Sequence, residues 1–123
     1  MIVEQLFVNN NTAVSVFKAS NMFERMRGLL GRTALNAREA FWLSPCNAIH
    51  TAFMKYPIDV VFMSGTGEVK KIVLCVMPWS MTCCWKAHSV LEMCAGATLD
   101  LGIQVGSQLH FENLSTSTEK SLK

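Results

Sequence analysis

Apolar and polar positions alternate at the start of the chain, in residues 2–8 (IVEQLFV) and again in 12–18 (TAVSVFK). A period of two places alternate side chains on one face of a strand. Three asparagines, Asn9 to Asn11, separate the two runs. Asparagine tolerates the left-handed conformations of tight turns, so the pattern predicts a β-hairpin. The period then changes. In residues 21–32 (NMFERMRGLLGR), Met22, Met26, Leu29 and Leu30 recur at helical spacing and form one apolar stripe. Asn21 and Glu24 make a capping-box-like start, and Gly31 makes a stop. At about 100° per residue, Arg27 falls just beyond one side of the stripe, and Arg25 and Arg32 beyond the other.

Downstream the apolar runs are short and strand-like: 40–43 (AFWL), 48–54 (AIHTAFM), 58–63 (IDVVFM) and 68–76 (EVKKIVLCV). Pro57 separates the second from the third, and SGTG at 64–67 predicts a tight turn between the third and fourth. Residues 77–86, with Pro78, Trp79 and Trp85, read as irregular. HSVLEMC (88–94) is a further strand, and AGATLDLG (95–102) one or two helical turns. IQVGSQLHF (103–111) reads as a turn at Gly106 and a final strand. The pattern predicts a mainly β fold. It is a single-domain β-sandwich or partly open β-barrel of short strands, with one α-helix near residues 21–32 and a short helical turn near 96–101. The domain is expected to span 1–112, followed by a polar, flexible C-terminal tail at 113–123.

Composition narrows the function classes. The 123 residues can bury one sizeable core, and half of them are hydrophobic against 16% charged. The net charge is only +2, and the basic residues are scattered apart from Lys70 and Lys71. That gives no basic field of the kind nucleic acid demands, so no nucleic-acid partner is expected. The N-terminal residues do not resemble a secretory leader, and no apolar run approaches the roughly 20 residues of a membrane span. A soluble, cytoplasmic protein with no membrane partner is the resulting expectation. The five cysteines, with Cys83 and Cys84 adjacent, make no disulfide framework and are expected to be reduced.

The densest candidate chemistry lies in 46–62 (CNAIHTAFMKYPIDVVF). In a strand, Asp59 shares a face with Val61 and Met63 and is a carboxylate on an apolar surface. If buried and ionised it needs a cation or several donors, and Arg27, Arg32 and His50 are the candidates. It then either ties a loop or the helix to the sheet, or serves as a base or ligand contact in a pocket. His50 would share its face with Ala52 and Met54 in an extended segment. It suits a satisfied core or rim position, with general base or metal ligand as the functional readings. Cys46 lies four residues from His50, roughly 13 Å along a strand, which is too far for a nucleophile pair. CCWKAH (83–88) lacks zinc-ligand spacing, so no metal is expected. No phosphate-cradling loop or G-x-S-x-G elbow occurs, and no cofactor is expected. Trp42, Trp79 and Trp85 could stack on a ligand, but core or loop packing is the simpler role.

Three blocks carry a family resemblance: RMRGLLGR (25–32), IHTAFMKYPIDVVFMSGTGEV (49–69) and VLEMCAGATLDLGIQVGSQL (90–109). They resemble, in order, the arginine-rich helix, the central signature and the closing block of the domain of unknown function 192 family. The resemblance implies a small, mainly β fold of sandwich or barrel type and supplies no activity. It places the family's motif positions on Arg27, Gly28, Leu29, Gly31, His50, Thr51, Met54, Asp59, Glu92, Gly96, Gly102 and Gly106. The chain departs from the family pattern at Ala52–Phe53 and at Ser107, where the family usually has aspartate. Ser107 puts in doubt any site that needs a carboxylate at that turn.

The leading expectation is a non-enzymatic binding or accessory domain. Its polar pocket or cluster would draw on Arg27, Arg32, His50, Thr51, Met54, Asp59 and Glu92 and take an unknown small ligand or protein partner. One alternative is a hydrolase-like enzyme using Asp59 and His50 as an acid–base pair. The other is a structural protein-interaction module docking through exposed methionines and tryptophans. The oligomeric state stays open.

Overall fold

Among the described residues, 2–8, 12–19, 36–52 and 54–113, the computed structural model forms nine strands and one short helix. The strands are β1 (Ile2–Val8), β2 (Thr12–Ala19), β3 (Glu39–Leu43), β4 (Ala48–His50) and β5 (Ile58–Met63). They continue with β6 (Val69–Val76), β7 (Met81–Cys83), β8 (Ser89–Cys94) and β9 (Leu109–Asn113), and the helix α1 (Ala97–Asp100) lies between β8 and β9. β5 is rich in β-branched and aromatic residues, with Ile58, Val60, Val61 and Phe62, as strands favour.

Seven strands make one sheet in the order β6-β5-β8-β3-β2-β1-β9, and β4 pairs with β7 in a second, small sheet. The β1–β2 hairpin is antiparallel with Leu6 opposite Val14, and β2 runs parallel to β3. The large sheet curls until its two edges touch. Glu68 bridges Gln108, the Val69 N–H donates to the Ser107 carbonyl, and the Leu109 N–H donates to the Gly67 carbonyl. The architecture is thus a curled half-barrel with a small second sheet, in line with the expected partly open barrel.

The two faces of the large sheet bury two apolar layers. Inside the curl lie Leu6, Val14, Val16, Val61, Leu91 and Met93, packed with Ala97 and Ile103 of the helical segment and the turn after it. On the outer face lie Phe41, Ile58, Val60, Phe62 and Val90, covered by Ile49 and Met54 from the β4 segment. Every residue of β5 is buried, as its place between β6 and β8 requires.

Two sequence expectations change here. The run at 48–54 is not one strand, because β4 ends at His50. Thr51 leaves the ladder and bonds to residues 77–80 instead. The segment 77–86, read as irregular, contains β7. Its three residues are too few to show a period, and its partner β4 is distant in sequence. The expected helix near 21–32 and residues 114–123 lie outside the described residues.

The seam depends on Gly67. Its φ is +90°, and a Cβ there would meet the Leu109 carbonyl oxygen at 2.6 Å. Backbone cannot yield as a flexible side chain does, so Gly67→Ala is expected to cost about 2–4 kcal/mol, combining a left-handed backbone with a steric clash. Urea unfolding measures this directly, and a loss under roughly 0.5 kcal/mol, the usual range for a neutral surface change, would show that the seam relaxes freely.

Candidate functional site

Asp59 is fully buried on the inner face of β5. The partner strand opens to reach it. Ile58 pairs with Val76 and Val60 with Val73, so Leu74 and Cys75 together oppose the single residue Asp59. This is a β-bulge, and it places Cys75 at φ 51°. The Cys75 N–H donates to Asp59 Oδ1 at 3.0 Å. On the other side, the N–H groups of Gly96 and Thr98 each donate to Asp59 Oδ2 at 3.1 Å. The first turn of a helix leaves backbone donors without intrahelical acceptors. Gly96, the N-cap of α1, sits at φ 95° and makes no side-chain cap of its own. Asp59 supplies the cap from a strand 37 residues away in sequence. The sequence nominated Arg27, Arg32 or His50 as its partner; among the described residues three backbone amides fill that role.

Thr51 is fully buried as well. Its hydroxyl donates to the Met77 carbonyl at 2.7 Å and accepts from the Ser80 N–H at 2.8 Å. Its own backbone pairs with Ser80 and accepts from the Trp79 and Met54 N–H groups. Thr51 therefore fixes the turn between β6 and β7, in which Trp79 takes φ 64°.

The predicted cluster does not share one surface. Asp59 pairs across the ladder with Met93, and Val60 with Glu92. Cross-strand partners share a face and neighbours along a strand alternate, so the two carboxylates point to opposite sides of the sheet. Glu92 is fully buried on the outer face, in register with Val60 and Phe41. Met54 belongs to that outer apolar layer, and His50 ends β4 opposite Met81. Arg27 and Arg32 lie outside the described residues. A cleft of about 360 Å³ opens elsewhere, between the 64–67 turn, His88 and His110. None of the described residues of the predicted cluster lines it. Among the described residues no group of three His, Cys, Asp or Glu side chains could hold a metal ion.

The tryptophans divide. Trp42 stacks on Phe111 with ring centres 4.1 Å apart, and Lys18 lies 4.8 Å over its ring. Trp79 and Trp85 stand 68% and 82% exposed, with Met77 at 57% and Met81 at 78% between and beside them. The sequence offered packing as the simpler role for all three; only Trp42 fits it. Periodicity could not reveal the other two, because they sit in turns on either side of a three-residue strand.

The family model of domain of unknown function 192 (DUF192), described as an uncharacterized ACR, matches residues 5–111. The chain belongs to the DUF192 family. Two solved structures share its fold. One is a candidate transcription regulator from Sinorhizobium meliloti 1021, with a TM-score of 0.74 and 19% identity over 89% of this chain and 92% of that one. The other is a protein of unknown function from Novosphingobium aromaticivorans DSM 12444, with a TM-score of 0.72 and 20% identity over 88% of this chain and 83% of that one. No curated protein matches the chain.

At Ser107, where the resemblance implies a departure from the family, the hydroxyl accepts the Gln104 N–H at 3.0 Å and closes the 104–107 turn. A short aspartate could make the same bond, so serine there preserves the turn without the charge.

Two predictions concern the Asp59 clamp. Asp59→Asn turns one acceptor oxygen into an NH2 group facing an N–H donor. It is expected to destabilise the fold by about 3 kcal/mol, since charge-assisted bonds to a buried group are lost. Amide hydrogen exchange should accelerate first at Cys75, Gly96 and Thr98; uniform acceleration would argue against a local clamp. The second prediction concerns Cys94. Burial raises its thiol pKa above the ordinary value, and the nearby Asp59 carboxylate raises it further. Less thiolate is present at neutral pH, so alkylation of Cys94 should be slow and should rise as the solution is made alkaline. Asp59→Asn should speed it; an unchanged rate would remove Asp59 as a cause.

Proposed function

We propose that this DUF192 chain is a non-enzymatic binding module whose contact surface is the rim of the β4–β7 sheet. One observation carries this reading. Met77, Trp79, Met81 and Trp85, four of the largest apolar side chains, project into solvent within nine residues, while most other apolar side chains of the strands, among the described residues, are buried. Large exposed apolar clusters mark interaction sites, and tryptophan is enriched among residues that dominate binding energy.

The acid–base alternative has weaker support. A general base must reach its substrate's proton. Asp59 is buried, and both its oxygens accept backbone N–H groups. An internal pocket drawing on Asp59 and Glu92 together is also poorly served, because the two lie on opposite faces of the sheet. The regulator name carried by one structural neighbour raises nucleic-acid binding as a further class. The scattered charge and net +2 of this chain give that class less support than the rim gives docking.

Amide-resolved NMR titration tests the reading, using acidic and aromatic peptides, glycans, small organic anions and lipid bicelles. Shifts are expected at residues 74–86 with at least one of these ligands. Trp79→Ala with Trp85→Ala should weaken that binding by about tenfold or more, as loss of hot-spot residues does. A rim that stays silent across the panel, or shifts confined to other regions, would refute it.

A further inference from the structure

We infer that the β4–β7 rim docks on the surface of an anionic lipid bilayer, an inference that rests on the binding-module reading and names its partner. The first ground is the shape of the apolar surface. Trp79 sits in the turn after β6, held outward by the bonds between Thr51 and residues 77–80. Trp85 sits in the turn after β7, closed by the Ala87 N–H donating to the Cys84 carbonyl and pinned by the Cys84 N–H donating to Asn47. Met81 stands exposed on the strand between them. Five residues lie between the two tryptophans, a span of at most about 20 Å of extended chain. These side chains stand on two turns and a short strand and line neither of the clefts formed by the described residues. Protruding indoles and thioethers suit a soft interface that closes around them, and tryptophan prefers the level of the lipid headgroups.

The second ground is charge. Residues 40–58 and 69–91 build β4, β6, β7 and their turns, and neither stretch contains an aspartate or glutamate. They contain Lys55, Lys70, Lys71 and Lys86. The acidic groups that bound these stretches are Glu39, Asp59, Glu68 and Glu92; Asp59 and Glu92 are fully buried, and the partly exposed Glu68 carboxylate pairs with Lys70 Nζ at 3.2 Å. Lys86 adjoins Trp85, and Lys71 Nζ donates to the Cys83 carbonyl at 2.8 Å, which sets a second ammonium beside the same turn. Lys55 is exposed and follows Met54, whose N–H bonds to Thr51, the residue that fixes the Trp79 turn. Lysines therefore flank the Trp85 turn and the segment bonded to the Trp79 turn, and no carboxylate lies between Glu68 and Glu92 in the chain that carries both tryptophans. Apolar tips ringed by ammonium groups complement a negatively charged bilayer surface. A peripheral contact of this kind needs no spanning segment. It therefore revises the expectation of no membrane partner, which rested on the absence of one.

Vesicle co-sedimentation of the full chain tests this. The probes are phosphatidylcholine vesicles with and without about 30% phosphatidylglycerol, a fraction large enough to give a strongly negative surface potential. Binding is expected to the anionic vesicles, to be about tenfold or more weaker on neutral ones, and to fall as salt is raised. Trp79→Ala with Trp85→Ala should abolish it. Lys55→Glu with Lys86→Glu, which leaves the apolar tips intact, should reduce it about tenfold or more. A blue shift of tryptophan emission on binding should vanish in the double tryptophan variant, which retains Trp42. No sedimentation with anionic vesicles, equal binding to neutral ones, or binding indifferent to both double variants would overturn the inference. If the rim binds a peptide or small anion in the NMR titration and no vesicle, the bilayer fails as partner and the binding-module reading survives. If it binds neither, both fall.

Discussion

The structure turns on a carboxylate that is shared by three pieces of backbone. Withdrawing an ionised Asp59 from water costs several kcal/mol. Hydrogen bonds to a charged group each return about 1.5–3 kcal/mol, so three of them are of the size needed to offset that cost. The geometry that provides them is itself unusual. Cys75 must adopt a left-handed conformation, which costs an L-residue about 1–2 kcal/mol, and β6 must bulge to present its N–H inward. Gly96 enters the same region more cheaply because it has no Cβ. Bulge, strand and helix start are thus mutually dependent, and none of the three has a reason to hold its local shape without the others.

This dependence reaches the surface. The bulge at Leu74 and Cys75 ends the regular pairing of β6 just before the chain leaves the large sheet. Both residues are exposed, and the chain then enters the turn that Thr51 fixes. Asp59 and Thr51, though buried, therefore stand at either end of the path that delivers Met77 and Trp79 into solvent. A polar residue in the core and an apolar residue on the surface are the two observations that most need explaining in a small fold. Here they are linked. The buried polar groups hold the backbone that carries the exposed apolar ones.

The strands were legible in the sequence where their pattern was long enough to have a period. The hairpin of β1 and β2, the β5–β6 pair across SGTG, β8 and the final strand β9 all lie where alternation and turn chemistry put them. The placement of Asp59 with Val61 and Met63 also followed from alternation alone. What escaped was decided by contacts distant in sequence. The end of β4 depends on Thr51 meeting Ser80, 29 residues on, and β7 exists because β4 does. The partners of Asp59 escaped for a related reason. Side-chain cations can be read from a sequence, but backbone N–H groups belong to every residue except proline and become available only where the chain breaks its regular pairing. The candidate cluster was assembled from residue type, and residue type does not report which face of a sheet a carboxylate occupies relative to a neighbour on another strand.

The positions that tie the chain to DUF192 bear on where its function lies. Asp59, Thr51 and Gly96 are among those the resemblance implies, and each has a structural task that the hydrogen bonds account for. The motif positions leave a gap between Asp59 and Glu92, and the exposed rim at 77–85 falls inside that gap. A signature built from clamps and turn glycines specifies a scaffold. On the proposed reading, what the scaffold meets is decided by the residues it carries outward, here tryptophans, methionines and lysines on two turns and the short strand between them. With the rim as contact surface, as proposed, family membership and binding partner would be separable properties, written in different parts of the sequence. Another chain could keep every clamp and present a different rim. The side chains between β6 and β8, more than the signature itself, are the place from which the partner of any one member has to be argued.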